Sequence, residues 1–456
     1  MKNSQTLTLL EKRYTFNILD SIKVDIDSLE NPYHIPIDEL FTMAARINKK
    51  RSFLFISKVL GKHLPIEPNQ GLLIAALLGA RYIEKVKGLD CREKERFLSL
   101  FLKGGAFYSR PFIPENVNPV IIGFAETATA LGHAFFDCFQ AAEFFHTTRE
   151  EISGVKPAIT FEEEHSHATS HRCYVSLEMI NHQREIILVD DEITTGNTAL
   201  NIIKSINEKF PRPVYTIVSI LDWRSKEFQQ KFVRLEQELG IKINVVSLLS
   251  GHVEIHQLKE LEGRSKKAGT SNRGASIEVL CLGSYFTSSK YSSSDQLEGL
   301  PYLNETGRFG LKSSENFKVH EKFSIAANFL RQKRTGRRTL CLGTGEFMYL
   351  PLRLAAEMGS GVYYQSTTRS PIYIEKEEGY GARFGFNFPN PENENISHFV
   401  YNIPPNHYDE LFVFFEREVS EEKLQPMLEE LGKLAFQSIK VVFFSKNRGE
   451  SDAKNT

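Results

Sequence analysis

One segment of this 456-residue chain concentrates residue types that can do chemistry. It runs Ile186-Ile187-Leu188-Val189-Asp190-Asp191-Glu192-Ile193-Thr194-Thr195-Gly196-Asn197-Thr198 and continues as Ala-Leu-Asn-Ile-Ile-Lys-Ser-Ile. Four apolar residues predict a buried strand that delivers two carboxylates to the carboxyl edge of a sheet, where ligands bind in open α/β folds. Directly after it, Thr194, Thr195, Gly196, Asn197 and Thr198 open a helix. Their hydroxyls and the first backbone N–H groups form an anion cradle at the positive end of the helix dipole. Gly196 lets the backbone approach an anion closely. The segment offers acceptors for sugar hydroxyls and donors for a phosphate, and a 5-phosphoribosyl group needs both. The plain alternative, a solvated acidic turn capped by Thr, does not require all of these in one frame.

The elements around this loop alternate. Val120 to Phe124 reads as a short strand followed by the turn Gly123-Phe124-Ala125-Glu126-Thr127-Ala128 and a helix through Phe139. A second strand, AEFFHTT, ends at Thr147-Thr148-Arg149, before a charged, irregular segment. After the loop come the helix ending near Phe210, the strand RPVYTIVSILDW and the helix FQQKFVRLEQELG. Strands separated by helices predict a doubly wound parallel sheet. Upstream, residues to about Ser28 read as an extended or hairpin-like arm, Ile37 to Pro65 as a basic helical stretch, and Gly71 to Phe107 as helix. The expected organisation is an N-terminal arm over 1–34, a first domain over 35–262, a Gly/Ser/Lys-rich linker over 263–276, and a second α/β domain over 277–456.

The second domain echoes the first. Gly123 and Glu126 precede Thr147-Thr148-Arg149, and Gly343 and Glu346 precede Thr367-Thr368-Arg369, with 21 residues from Glu to the first Thr in both. Further on, ELFVFFE and IKVVFFS stand where EIILVDD and VYTIVSI stand in the first half. The pattern fits a degenerate repeat that has lost its loop, since no acidic pair followed by Thr-Thr-Gly occurs near Phe415. Gly343, Glu346, Thr367, Thr368 and Arg369 are candidates for a second site.

Composition excludes several classes. Lys plus Arg (56) balance Asp plus Glu (57), which gives no support for a nucleic-acid-binding surface. Five scattered Cys without a C-x-x-C pair argue against a disulfide framework and a zinc ribbon. No run approaches the ~20 apolar residues of a membrane span, and no signal peptide is evident. The expectation is a soluble cytoplasmic protein. Glu162-Glu163-Glu164-His165-Ser166-His167 puts H-x-H beside carboxylates, which could ligate a metal or simply be a solvated loop. Trp223, the only Trp, follows a strand and suits either stacking on a heterocycle or a place in the core.

VDDEITTGNT resembles the phosphoribosyl-pyrophosphate loop of the type I phosphoribosyltransferases; Glu192 departs from that pattern, which usually has an apolar or small residue there. The resemblance implies that Asp190 and Asp191 contact the ribose hydroxyls, that Thr194 to Thr198 hold the 5′-phosphate, and that Gly123, Phe124, Ala125, Glu126 and Thr127 form the pyrophosphate loop. It implies a catalytic role for Arg149 beside Asp190 and Asp191, a closing loop over Val155 to His171 containing His165 and His167, and a base pocket near Trp223. Lys49-Lys50-Arg51, Lys58 and Lys62 form either a solvated basic face or a source of a cation for the pyrophosphate. Thr368-Arg369-Ser370-Pro371 further resembles the motif of a bacterial subfamily with a C-terminal TRSP domain, associated with tellurite-resistance and stress gene clusters and a nucleoside-like metabolite. The implied partners are phosphoribosyl pyrophosphate, a nitrogenous base and substrate-bound Mg²⁺ (held in part by Asp190 and Asp191), with a homodimer left open. The implied reaction is transfer of ribose 5-phosphate to the base. A phosphoribosyl pyrophosphate or nucleotide-sensing regulator and a phosphoribosyl hydrolase are the rivals.

Overall fold

The computed structural model describes residues 13–47, 52–162, 170–259, 274–292 and 300–445. The chain enters through a hairpin, β1 (Arg13–Ile18) and β2 (Ile22–Glu30), then a single helical turn, α1 (Ile37–Leu40), and a second hairpin, β3 (Phe41–Ala45) and β4 (Phe53–Ser57). The expected helix between Ile37 and Pro65 is therefore a hairpin. Its apolar runs are only about five residues long, contain aromatic residues and are buried almost continuously, so helical periodicity does not distinguish them from a buried strand. α2 (Pro68–Lys87) starts with Pro in its first turn and ends on Gly88 at φ +66°, and α3 (Lys94–Lys103) follows, as the sequence suggested for this stretch.

The wound core is β5 (Val120–Gly123), α4 (Ala128–Phe136), β6 (Glu143–His146), a hairpin of β7 (Ile159–Glu162) and β8 (Ser170–Cys173), α5 (Leu177–Ile180), β9 (Ile186–Ile193), α6 (Asn197–Lys209), β10 (Val214–Asp222), α7 (Lys226–Leu239) and β11 (Lys242–Gln257). Strands β11-β10-β9-β5-β6 are parallel neighbours, and β2 and β1 continue the sheet antiparallel beyond β11. The first four residues of β9 are fully buried, the pattern of a strand covered on both faces. The segment after Arg149, expected to be irregular, is partly the β7–β8 hairpin. Residues 163–169, with His165 and His167, lie outside the described residues.

The second half holds β12 (Ser276–Cys281), β13 (Ser288–Ser292), β14 (Pro301–Leu303), β15 (Leu311–Lys312), α8 (Ser313–Gln332), β16 (Thr339–Gly343), α9 (Tyr349–Glu357), β17 (Val362–Ser366), β18 (Gly385–Asn390), β19 (Asn393–Tyr401), β20 (Glu410–Phe415), α10 (Glu421–Gly432) and β21 (Ser438–Phe443). Its sheet is parallel throughout, in the order β12-β21-β20-β16-β17. The register repeats that of the first half: Gly123 faces His146 and Val189, and Gly343 faces Ser366 and Phe414. β18–β19 stands where β7–β8 stands. The edge strand differs: β11 follows β10 in the chain, whereas its counterpart β12 precedes the rest of its sheet.

The halves dock through α2, α4 and α9. β15 pairs with β6, and Ser366 N donates to Gly61 O at 2.7 Å. A buried polar cluster pins the contact: Asp137 accepts from Asn316 Nδ2 at 2.7 Å and from Tyr349, and lies 3.1 Å from His320 Nε2. Among the described residues no helix is long and apolar enough to cross a membrane.

Candidate active site

At the end of β9 the chain leaves the core with Asp190, Asp191 and Glu192 half-buried at the carboxyl edge of the sheet. Asp191 N donates to Asp190 Oδ1 at 2.9 Å. Burial first, and then the neighbouring Asp191 charge, push the Asp190 carboxyl well above the ordinary carboxylate range. Such a pair calls for a cation or hydroxyl donors. Its hard oxygen ligands are the type Mg²⁺ takes, so the donor set fits that ion.

The turn that follows depends on Gly196. Its φ is +74°, and a Cβ there would lie 2.4 Å from Phe232 Cζ. Helix α6 begins at Asn197 with no side-chain cap, so its N-terminal turn presents backbone donors to an anion. Behind the turn, Arg224 is forked onto Asp222 (2.9 and 2.8 Å) and lies over the Phe232 ring. Trp223 N donates to Ile193 O at 2.8 Å, which ties the tryptophan to the loop. The indole is buried, stacked on Phe55 at 5.1 Å and edge-on to Phe41, and its N–H has no acceptor among the described residues.

The loop after β5 is set just as closely. A Cβ on Gly123 would meet Ala128 O at 2.5 Å, so the turn into α4 admits only glycine without rearrangement. Phe124 N donates to Val189 O at 3.1 Å. Ala125 N donates to Thr147 Oγ1 at 2.9 Å, and that hydroxyl pairs with His171 Nδ1, also at 2.9 Å. The Ala125–Glu126 peptide is cis. Lys62 Nζ donates to Thr127 Oγ1 at 2.5 Å, which brings one member of the basic stretch onto this loop. The Glu126 carboxyl is buried, yet Lys62 foremost, then Arg369, His398 and Arg149, hold it below its ordinary range.

The second half repeats this geometry and enters the first. Gly345 N donates to Thr367 Oγ1 at 2.9 Å, and Thr367 pairs with His398 Nδ1 at 2.9 Å. Glu346 then reaches across the junction: its carboxylate accepts from Thr148 Oγ1 at 2.6 Å and Arg149 N at 2.9 Å. Two sets of candidates named separately from the sequence are thus in contact.

Residues 40–252 match a family model described as phosphoribosyl transferase, and residues 305–431 match one described as the TRSP domain C-terminal to it. The chain thus carries a domain of the phosphoribosyltransferase family followed by a TRSP domain. Solved structures similar to it include adenine phosphoribosyltransferase from Rhodothermus marinus (13% identity, 46% of this chain and 95% of that chain, TM-score 0.26). Another is the Trypanosoma brucei adenine enzyme in complex with AMP, pyrophosphate and ribose-5-phosphate (12%, 49% and 82%, TM-score 0.30). A third is a hypoxanthine phosphoribosyltransferase from Staphylococcus aureus (11%, 36% and 69%, TM-score 0.21). No curated protein matches the chain.

Within this phosphoribosyltransferase, sequence reading missed several residues at the junction. His171 and His398 lie under the two Gly loops, and the second half supplies a buried set of Tyr302, Arg308, Glu416 and Arg417. Arg308 Nη1 binds both Glu416 oxygens at 2.9 Å, and Tyr302 lies between the Arg308 and Arg417 guanidiniums at 4.3 and 4.2 Å. The matched spacing of Thr147 and Thr367 was the only signal pointing to this region. Asp25, Glu254 and His256 also converge, but Asp25 already accepts from Thr15 at 2.5 Å and Lys23 at 2.8 Å, which makes an ion-pair network of that cluster.

Proposed function

We propose that the chain is a type I phosphoribosyltransferase that transfers ribose 5-phosphate from phosphoribosyl pyrophosphate to a nitrogenous base. The observation that carries this reading is the pairing of Asp190 and Asp191 at the end of β9 with the Gly196 turn into α6, acceptors and anion donors in one frame. In this reading Asp190 and Asp191 hold the ribose hydroxyls, Thr194 to Thr198 hold the 5′-phosphate, and Gly123 to Thr127 with Arg149 face the diphosphate. Asp190 and Asp191 would also hold Mg²⁺ with the substrate, and that ion would neutralise charge on the departing diphosphate. A ring nitrogen of the base attacks the anomeric carbon as the bond to the diphosphate oxygen breaks, and pyrophosphate leaves with the electron pair. The chain's contribution is positioning and electrostatic stabilisation, with no covalent intermediate. In this reading the base lies at the carboxyl end of β10, next to the loop that Trp223 joins through Ile193, and the indole, buried against Phe55 and Phe41, supports that wall from behind.

Calorimetric titration of Mg²⁺-phosphoribosyl pyrophosphate into wild type and a D190N/D191N variant tests this. Binding in wild type that is lost in the folded variant is the expected result, followed by pyrophosphate release in a panel of bases. Binding without release across the panel would favour a sensor. Absence of binding up to millimolar ligand would overturn the reading.

A further inference from the structure

The sheet of the second half has lost the acidic pair and the Thr-Thr-Gly turn, but its carboxyl edge is not closed. Because Gly123 faces Val189 and Gly343 faces Phe414, the three residues after each partner correspond. Phe415 stands at the place of Asp190, Glu416 at that of Asp191, and Arg417 at that of Glu192. The acid retained is already neutralised: Glu416 is bound by Arg308 through both oxygens, and its Oε1 also accepts from Leu303 N at 2.9 Å. The edge that offers acceptors in the first half offers a guanidinium in the second.

Arg417 opens onto a cavity of about 290 Å³ at this edge. The lining includes Arg369 after β17, Asn390 and Glu392 at the β18–β19 turn, and Arg149, Arg172, Glu150 and Glu151 from the first half, with Arg172 paired to Glu151 at 2.6 Å. It includes no residue of the Gly123–Thr127 or Asp190–Thr198 loops. Arg417 is only 3% exposed; its Nη2 contacts Glu150 at 3.4 Å and Glu392 at 3.3 Å, while its Nε and Nη1 have no partner among the described residues. Arg369 Nε is likewise buried without an acceptor. Burial raises the Glu392 carboxyl to about 7 despite Arg417, so it carries only part of its negative charge at neutral pH. A buried guanidinium with open donors costs free energy unless an acceptor arrives, and phosphate oxygens match its fork.

We infer that the second half keeps a ligand site of its own at this edge, an arginine pocket for a small phosphate-bearing anion, completed across the junction by Arg149 and Arg172. Arg417 and Arg369 supply the open donors, and Asn390 lies beside them. Ligands of open α/β sheets bind outside the carboxyl ends of the strands, and this pocket occupies that place in the second sheet. The site includes none of the Gly123–Thr127 or Asp190–Thr198 residues, but it shares Arg149 with the diphosphate subsite of the proposed transfer reaction.

The test is calorimetric titration of the full chain with inorganic pyrophosphate, without Mg²⁺, using wild type, R369Q, R417Q and G196V, each checked for folding by thermal melting. Two classes of site are expected in wild type. R369Q and R417Q should each weaken the same class at least tenfold, and G196V, at the 5′-phosphate cradle, should leave that class unchanged. Arg417 also holds Glu150 and Glu392, so R417Q is the variant more at risk of misfolding. Arg369 makes no ion pair among the described residues, and R369Q then decides. An R369Q titration indistinguishable from wild type would overturn the proposal, as would succinate binding as tightly as pyrophosphate.

Discussion

The Glu346 carboxylate of the TRSP domain clasps Thr148 of the other half, accepting from its Oγ1 at 2.6 Å while its second oxygen accepts from Arg149 N at 2.9 Å. The contact joins the Gly loop of one half to the strand end of the other. It makes the Thr-Thr-Arg conformation depend on a residue 198 positions away.

Truncating Glu346 to Ala leaves a buried hydroxyl and a backbone N–H without an acceptor, a loss of about 1–3 kcal/mol. The expected outcome is a lower melting temperature together with several-fold weaker binding of Mg²⁺-phosphoribosyl pyrophosphate, although Glu346 belongs to the TRSP domain. E346Q keeps one acceptor and should fall between. Unchanged affinity in E346A would show that the clasp does not position Arg149.

Gly196 is the residue on which the anion cradle turns. At φ +74° any side chain is strained, and a Cβ would also sit 2.4 Å from Phe232. G196V should weaken phosphoribosyl pyrophosphate at least tenfold by calorimetry while the chain still melts cooperatively. Partial recovery in G196A/F232L would identify the ring as the obstacle.

Much of this site is legible in the sequence because its cause is local. Four apolar residues, two acids and Thr-Thr-Gly fix strand, edge and helix start within one short stretch, and β9 and α6 fall where that pattern puts them. The repeat is legible too, since Glu126–Thr147 and Glu346–Thr367 share a spacing that the paired strands require. The Phe41–Ala45 and Phe53–Ser57 hairpin is not, because short apolar runs buried on both faces carry no period. Nor is the Arg308–Glu416 fork, whose partners are 108 residues apart and meet only once β14 and β20 are assembled.

Trp223, the only Trp, makes the loop directly observable. Its buried indole stacks on Phe55 and its backbone N–H is bonded to Ile193. Wild type should emit at the short wavelengths of a shielded indole, and Mg²⁺-phosphoribosyl pyrophosphate should change the intensity with the same dissociation constant as calorimetry. W223F should bind the sugar phosphate normally but use its base less well. A W223F variant that uses its base as well as wild type would place the base away from this residue.

Acid should loosen the junction between the halves before it titrates most carboxylates. His133, His146 and His398 are buried, and burial, the leading cause for each, holds them down to about 4, 3 and 4. In the unfolded chain they titrate near 6.5. Below that pH the unfolded state binds more protons than the folded one, so stability rises with pH across the window. The contribution is complete above about 6.5 and is lost as pH falls toward the folded values, on the order of 1.4 kcal/mol per histidine for each pH unit. Asp137 reinforces this only at lower pH. Its folded value is depressed, chiefly by His320 acting against burial, so its stabilisation is present above about 4 and fades below. Urea midpoints measured from pH 7.5 to 4.5 should therefore fall steadily, beginning near 6.5. His133 is stacked on Tyr349 at 3.6 Å and its Nε2 is bonded to Asn316 at 3.1 Å, a contact that H133Q, whose amide nitrogen reaches the place of Nε2, partly keeps. That variant should flatten the slope between pH 6.5 and 4.5 by about one proton's worth, and an unchanged slope would assign the acid sensitivity elsewhere.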